Sequence, residues 1–211
     1  MPARTLQLAL PRPHLACGAD TGQCGDTENR RGLAAQPRRS RYYVLMLNTA
    51  IPSLHWQHLR FAQLSTTQLY ALLRLRTDVF VVEQQCAYPE LDGKDTDPAV
   101  LHVLGNADNG ELAAYLRVLP PGLSYSEPSI GRVVIAAAHR GTGLAHALLR
   151  EGIRLVQTQW PGSAIQLGAQ AHLQAFYAAH GFAPASEQYL EDDIPHLDML
   201  RPAGAALLEF A

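Results

Sequence analysis

Between residues 55 and 201 short apolar runs alternate with turn-forming clusters, and that spacing permits little except a mixed sheet carrying helices. Asn109-Gly110 lies between the runs 99–106 and 111–119, the strongest short signal for a β-hairpin. Pro120-Pro121-Gly122 and Trp160-Pro161-Gly162 interrupt the chain further on. Ahead of the hairpin, 55–62 alternates as a strand. Ser65-Thr66-Thr67-Gln68 then has capping-box spacing at the head of a helix. Leu69, Leu72, Leu73, Leu75, Val79 and Phe80 recur at three- and four-residue steps along it. Residues 85–98 form an acidic, turn-rich loop. After the hairpin come a strand over 130–136, a helix over 144–159, a strand over 164–168 and a helix over 173–180, closed by Gly181. Strands over 182–189 and 197–201 complete the order βα, ββ, βα, βα, ββ. The natural packing of this order is an α/β (α+β) fold with helices on the faces of one mixed sheet.

The 211 residues are 47% apolar and 17% charged, a globular composition able to bury its own core. No run approaches the roughly 18 apolar residues of a membrane span. Cys17, Cys24 and Cys86 show neither a paired framework nor zinc spacing. The formal net charge of −2 argues against nonspecific nucleic-acid binding. It hides an asymmetry: residues 1–45 carry seven arginines against three acids, whereas residues 46–211 carry ten cations against sixteen acids. With early prolines and no sustained period, residues 1–50 read as a disordered arm, with a transit peptide or a true start at Met46 as alternatives. Residues 51–203 form the domain and 204–211 a tail.

Chemistry concentrates where a strand turns into a helix at Arg140-Gly141-Thr142-Gly143. The first N–H groups of a helix lack partners and its dipole favours anions there. Glycine lets a phosphate approach the backbone closely. By itself this is also the pattern of a plain tight turn. It is not a Walker A loop, because no Gly-Lys-Ser/Thr follows, nor a Rossmann fingerprint, because the third glycine is missing.

Arg140-Gly141-Thr142-Gly143-Leu144-Ala145 resembles the Arg/Gln-x-x-Gly-x-Gly/Ala signature of the GNAT acetyltransferases. Gln170-Ala171-His172-Leu173-Gln174-Ala175-Phe176-Tyr177, followed by Gly181-Phe182, is similar to that family's second motif. Phe80-Val81-Val82-Glu83-Gln84, Tyr88-Pro89-Glu90-Leu91-Asp92-Gly93, Ile130-Gly131-Arg132-Val133 and Leu167-Gly168-Ala169-Gln170-Ala171-His172 resemble its ElaA-like branch. The resemblance spans about residues 54–202; the arm has no counterpart in it.

The resemblance implies acetyl-CoA as acyl donor, with its pyrophosphate on the backbone of Arg140, Gly141, Thr142, Gly143, Leu144 and Ala145. Its pantetheine arm would pair along Val133, Val134 and Ile135, with Gln170 nearby. Tyr177 occupies the position of the acid that protonates the leaving thiolate; packing beside Phe176 is the other reading. A phenol of ordinary pKa near 10 suits that task. Glu83 is the branch's candidate base, or a solvated helix-end carboxylate. His102, His172 and His196, with Asp92 of the acidic loop, are candidate acceptor contacts, although a solvated loop is the default for Asp92. No metal is expected. The implied activity is direct transfer to a small-molecule or peptide amine in the cytoplasm, without nucleic acid or membrane, and a homodimer stays open. Alternatives are a silent acyl-CoA sensor and an enzyme like the acyl-homoserine-lactone synthases.

Overall fold

The computed structural model describes residues 54–207, so the arm of residues 1–50, Met46, Cys17, Cys24 and the last four residues of the tail lie outside the described residues. Eight strands form one mixed sheet in the order β1-β2-β3-β4-β5-β8-β6, with β7 added to β8. The strands are β1 (His55–Leu59), β2 (Leu101–Asn106), β3 (Leu112–Leu119), β4 (Ser129–Ile135), β5 (Ile165–Gln170), β6 (Ala183–Pro184), β7 (Tyr189–Glu191) and β8 (Ile194–Arg201). The helices are α1 (Thr66–Thr77), α2 (Leu144–Gln159) and α3 (Gln174–Ala178). The first four strands run antiparallel, and α2 carries the chain across to β5, parallel to β4.

Period-2 alternation along the strands separates two apolar layers. Val103, Leu116, Val133, Ile135, Leu167 and Met199 meet Leu148, Leu149, Ile153 and Val156 of α2. On the opposite face Leu104, Tyr115 and Val134 meet Leu72, Val79 and Phe80. Each such fully buried side chain contributes about 1.5–3 kcal/mol of transfer free energy, which makes α2 and α1 the two clamps on the sheet.

Several elements depart from the sequence reading. The capping box forms, with Ser65 Oγ accepting from Gln68 N–H and Gln68 Oε1 accepting from Ser65 N–H. The α1 helix, however, ends at Thr77 and continues as a π-helical stretch, Asp78–Glu83, an insertion common at functional sites. The expected strand 55–62 stops at Leu59, because Arg60 N–H turns to Gln63 Oε1 at 2.8 Å and opens a 3₁₀ turn. The expected strand 182–189 is two fragments. Pro184 has no N–H to continue the ladder, and Ser186 Oγ takes the N–H of Asp198. Of the tail, Ala205 and Ala206 are pinned through their carbonyls to the buried guanidinium of Arg201.

Candidate active site

The β4 strand carries a bulge. Tyr115 pairs with Val134 and Arg117 with Gly131, so two residues of β4 oppose one of β3. Arg132, one of the two, adopts φ +55, which costs a non-glycine residue on the order of 1–3 kcal/mol. Beyond the bulge β4 and β5 part: Ser129 and Gln166 are their one bridging pair. Ala136 N–H donates to Ala113 O across β3, and alternation along the ladder then turns the N–H and C=O of Ile135 away from β3, into the gap facing β5. The side chains of Val133, Val134 and Ile135 are buried, so this edge offers main chain alone. The gap opens onto the turn before α2. Gly141 and Gly143 hold φ +75 and +79, values that favour glycine. Gly143 is the N-cap; no side chain caps α2, and no acid stands in its first turn. The leading N–H groups of a 16-residue helix thus face outward with its dipole behind them.

Tyr177 lies on α3, in the same apolar cluster as Val133 and Ile135 of β4 and Leu167 and Ala169 of β5. Its ring packs edge-on against Phe176 and Phe182, with centroids 5.0 and 6.0 Å away, and its hydroxyl is buried with no hydrogen-bond partner among the described residues. Burial pushes its pKa well above the ordinary phenol value, which corrects the expectation of an unperturbed group. The proton is therefore held throughout the neutral range. A buried hydroxyl without a partner costs about 1–3 kcal/mol, and a ligand atom would recover much of that only as negative charge builds on it.

The remaining candidates separate. The guanidinium of Arg140 does not point out of the turn: Nε donates to Ile135 O at 3.0 Å, while Nη1 and Nη2 donate to both Glu83 oxygens at 2.7 and 2.9 Å. The π-helical stretch puts Glu83 there, joining α1 to the glycine turn. Gln170, buried at the end of β5, reaches Gln84 Oε1. Exposed His172 sits on the following 3₁₀ turn. His102 is fully buried; its Nε2–H donates to Asp95 O, and its Nδ1 accepts from Tyr115 hydroxyl. With both nitrogens committed, the proposed acceptor contact of His102 is corrected to a core role.

Asp92 is corrected likewise. The acidic loop is not a solvated face, because Glu90, Asp92 and Asp95 turn inward onto three arginines that are at most 1% exposed. Arg76 Nε and Nη2 hold Glu90 at 2.8 and 2.6 Å, and Nη1 reaches Asp95 at 2.8 Å. Arg117 grips Asp92 through two bonds of 2.8 and 2.6 Å and also touches Asp95. Arg132, aimed by the bulge, donates to Glu90 at 2.7 Å. Burial alone would raise the carboxyl of Asp92, but the Arg117 bonds and charge outweigh it and hold the group well below the usual range. Asp95 is lowered in the same way, burial opposing and Arg117 and Arg76 prevailing.

Two clusters were not singled out from sequence. Tyr125 and Tyr189 hydroxyls both donate to Asp198 Oδ1 at 3.0 Å, beside His196, whose ring stacks on Tyr189. Near the start of α2, His146 Nδ1 lies 2.9 Å from His180 Nε2. Burial and then the His146 charge push His180 down to about 4, so it is neutral at neutral pH. Single histidines and tyrosines at such separations carry no spacing signal.

Among the described residues no group of three or more His, Cys, Asp or Glu is arranged to hold a metal ion, and no helix is long and apolar enough to cross a membrane. The profile of the Acetyltransferase (GNAT) domain matches residues 80–201. Protein ElaA of Escherichia coli is 45% identical over 148 residues, covering 70% of this chain and 96% of that protein. The crystal structure of ElaA superposes with TM-score 0.67 at 44% identity, over 71% of this chain and 99% of that one. That of an acyl-CoA N-acyltransferase from Pseudomonas aeruginosa does so with TM-score 0.68 at 47% identity, over the same shares. The parted strands, the glycine turn and the sequence match converge: this chain belongs to the GNAT acetyltransferase family.

Proposed function

We propose that this protein transfers the acetyl group of acetyl-CoA directly to the nitrogen of an amine acceptor. The observation that carries the reading is the gap between β4 and β5, which ends on an uncapped helix N-terminus. An extended amide-bearing chain can pair with the free edge of β4 as an added strand, while its phosphates take the N–H groups of Gly141–Ala145. Arg140, bound to Glu83 and Ile135 O, contributes by keeping the turn against α1, with an N–H on each Nη still available to a phosphate. The residues fit the donor on a further count: the orphaned Tyr177 hydroxyl is the group that protonates the departing thiolate. Acetyl-CoA supplies the activated thioester. The chain supplies orientation, a dry pocket and the proton.

Gly143→Val tests the reading. A branched side chain at the mouth of α2 is expected to weaken acetyl-CoA binding more than tenfold, about 1.4 kcal/mol, by calorimetry. The left-handed φ also strains valine by roughly 1–2 kcal/mol, so the melting temperature should fall by several degrees. Gly162→Val is the control. Gly162 has φ +77 and open space where a Cβ would stand, but it follows the far end of α2. It should show comparable strain and unchanged affinity. Equal acetyl-CoA affinity in wild type and Gly143→Val refutes the site.

A further inference from the structure

We infer that His196 is the general base of the transfer, taking the proton from the acceptor amine at Nε2; the inference rests on the acetyl-CoA reading above. His196 sits on β8 directly opposite Gln170 of β5, so both side chains project from the same face of the sheet at the end where β4 and β5 have parted. Its ring is 2% exposed. Nδ1 lies 2.8 Å from Ile194 O, and a carbonyl can only accept, so the proton is on Nδ1. Nε2 then carries a lone pair, and it makes no hydrogen bond among the described residues. The tautomer, one nitrogen anchored and the other presented, is that of a base held ready. The ring is fixed on its other side by Tyr189, 6.2 Å away between centroids and nearly parallel.

Three competing groups are committed elsewhere. Both oxygens of Glu83 accept from Arg140. Both nitrogens of His102 are bonded in the core. Asp92 is enclosed by Arg117. The ionisable groups around His196 are Tyr189 and Glu191 on β7 and Asp198 two residues on along β8, whose Oδ1 already accepts from Tyr125 and Tyr189. From the segment after α1, Cys86 reaches the β7–β8 turn at Asp192 O.

The step balances. The amine lone pair forms the C–N bond to the thioester carbon, and the C–S bond breaks. The amine proton passes to His196 Nε2, and the sulfur takes the proton of Tyr177 Oη. Both side chains are reset by exchange with water after release of product.

Two measurements on the full-length protein test the inference. Long-range ¹H–¹⁵N spectra of the ligand-free protein at pH 7.5 should show His196 as the Nδ1–H tautomer; an Nε2–H tautomer overturns the proposal without any turnover data. His196→Gln retains an amide that can still donate to Ile194 O but cannot accept the proton. With acetyl-CoA and benzylamine, spermidine or a lysine-containing peptide, it should lower kcat/KM by about 10²–10⁴-fold near neutrality. The acidic limb of the wild-type pH profile should vanish, and imidazole should partly restore His196→Ala. Acetyl-CoA affinity should stay within twofold. Retention of the acidic limb with turnover within threefold of wild type overturns the base assignment alone. A wild-type protein that fails to bind acetyl-CoA overturns the reading beneath it as well.

Discussion

Tyr177→Phe is expected to reduce turnover by about 10²–10⁴-fold, the usual cost of removing a positioned acid. Coenzyme affinity should barely change, because the phenol acts as charge builds on sulfur and little in the ground state. The ring contacts with Phe176 and Phe182 survive the substitution. The hydroxyl is buried without a partner, so deleting it breaks no bond and removes an unpaid desolvation of about 1–3 kcal/mol. Melting temperature should therefore stay level or rise. A purely structural tyrosine forecasts near-wild-type turnover. Measuring kcat, acetyl-CoA Kd and Tm for both proteins decides the matter: turnover within threefold of wild type, with chemistry rate-limiting, removes Tyr177 from the mechanism.

Arg117→Leu should be the most damaging single substitution for stability. It removes the two-bond partner of Asp92, leaving that carboxylate with Arg132 at 3.5 Å and the Lys94 N–H, and leaves Asp95 with Arg76 alone as counter-ion. Breaking one partner out of a buried pair costs about 3–5 kcal/mol, roughly 6–20 °C in Tm for a domain of this size. The pH dependence carries the sign. In the wild type the Asp92 and Asp95 carboxyls are lowered on folding, so their contribution is complete above the unfolded value near 4 and is lost as pH falls below it. In Arg117→Leu the burial of Asp92 is opposed only by Arg132 and the Lys94 N–H, so its carboxyl is lowered less than in the wild type. The stability the variant lacks is the part the wild type loses on acidification, so the gap between them should narrow as pH falls below about 4 in chemical denaturation. A gap that is constant with pH would show that the loss comes from packing alone.

Much of the architecture was readable because its signals are local. Asn109-Gly110 marks the β2–β3 hairpin, Ser65 and Gln68 cap α1, and the stops around Trp160 close α2 where expected. The glycine turn and Tyr177 were readable as motifs, since their spacing along the chain is fixed by one strand–turn–helix and one short helix. What eluded the sequence is set by contacts across the fold. Asp92, Glu90 and Asp95 look like solvated loop residues until Arg76, Arg117 and Arg132 arrive from α1, β3 and β4 to neutralise them. The arginines inside otherwise apolar strands were the available clue: a guanidinium there needs an acid to come to it. His102 and His196 looked equivalent in sequence. Their difference is a matter of which carbonyl or hydroxyl each ring nitrogen meets.

The extra residue in β4 has a consequence for how freely such a protein can change. One insertion both bends the strand out of register with its parallel neighbour and swings Arg132 beneath the loop of residues 85–98. The gap between the strands and the loop anchor thus share a single hinge pin. Deleting it would flip the side chains on one arm of β4 to the opposite face and withdraw a counter-ion from Glu90 in the same stroke. The bulge and its arginine are therefore tied to each other's survival, and a change at one is felt at both.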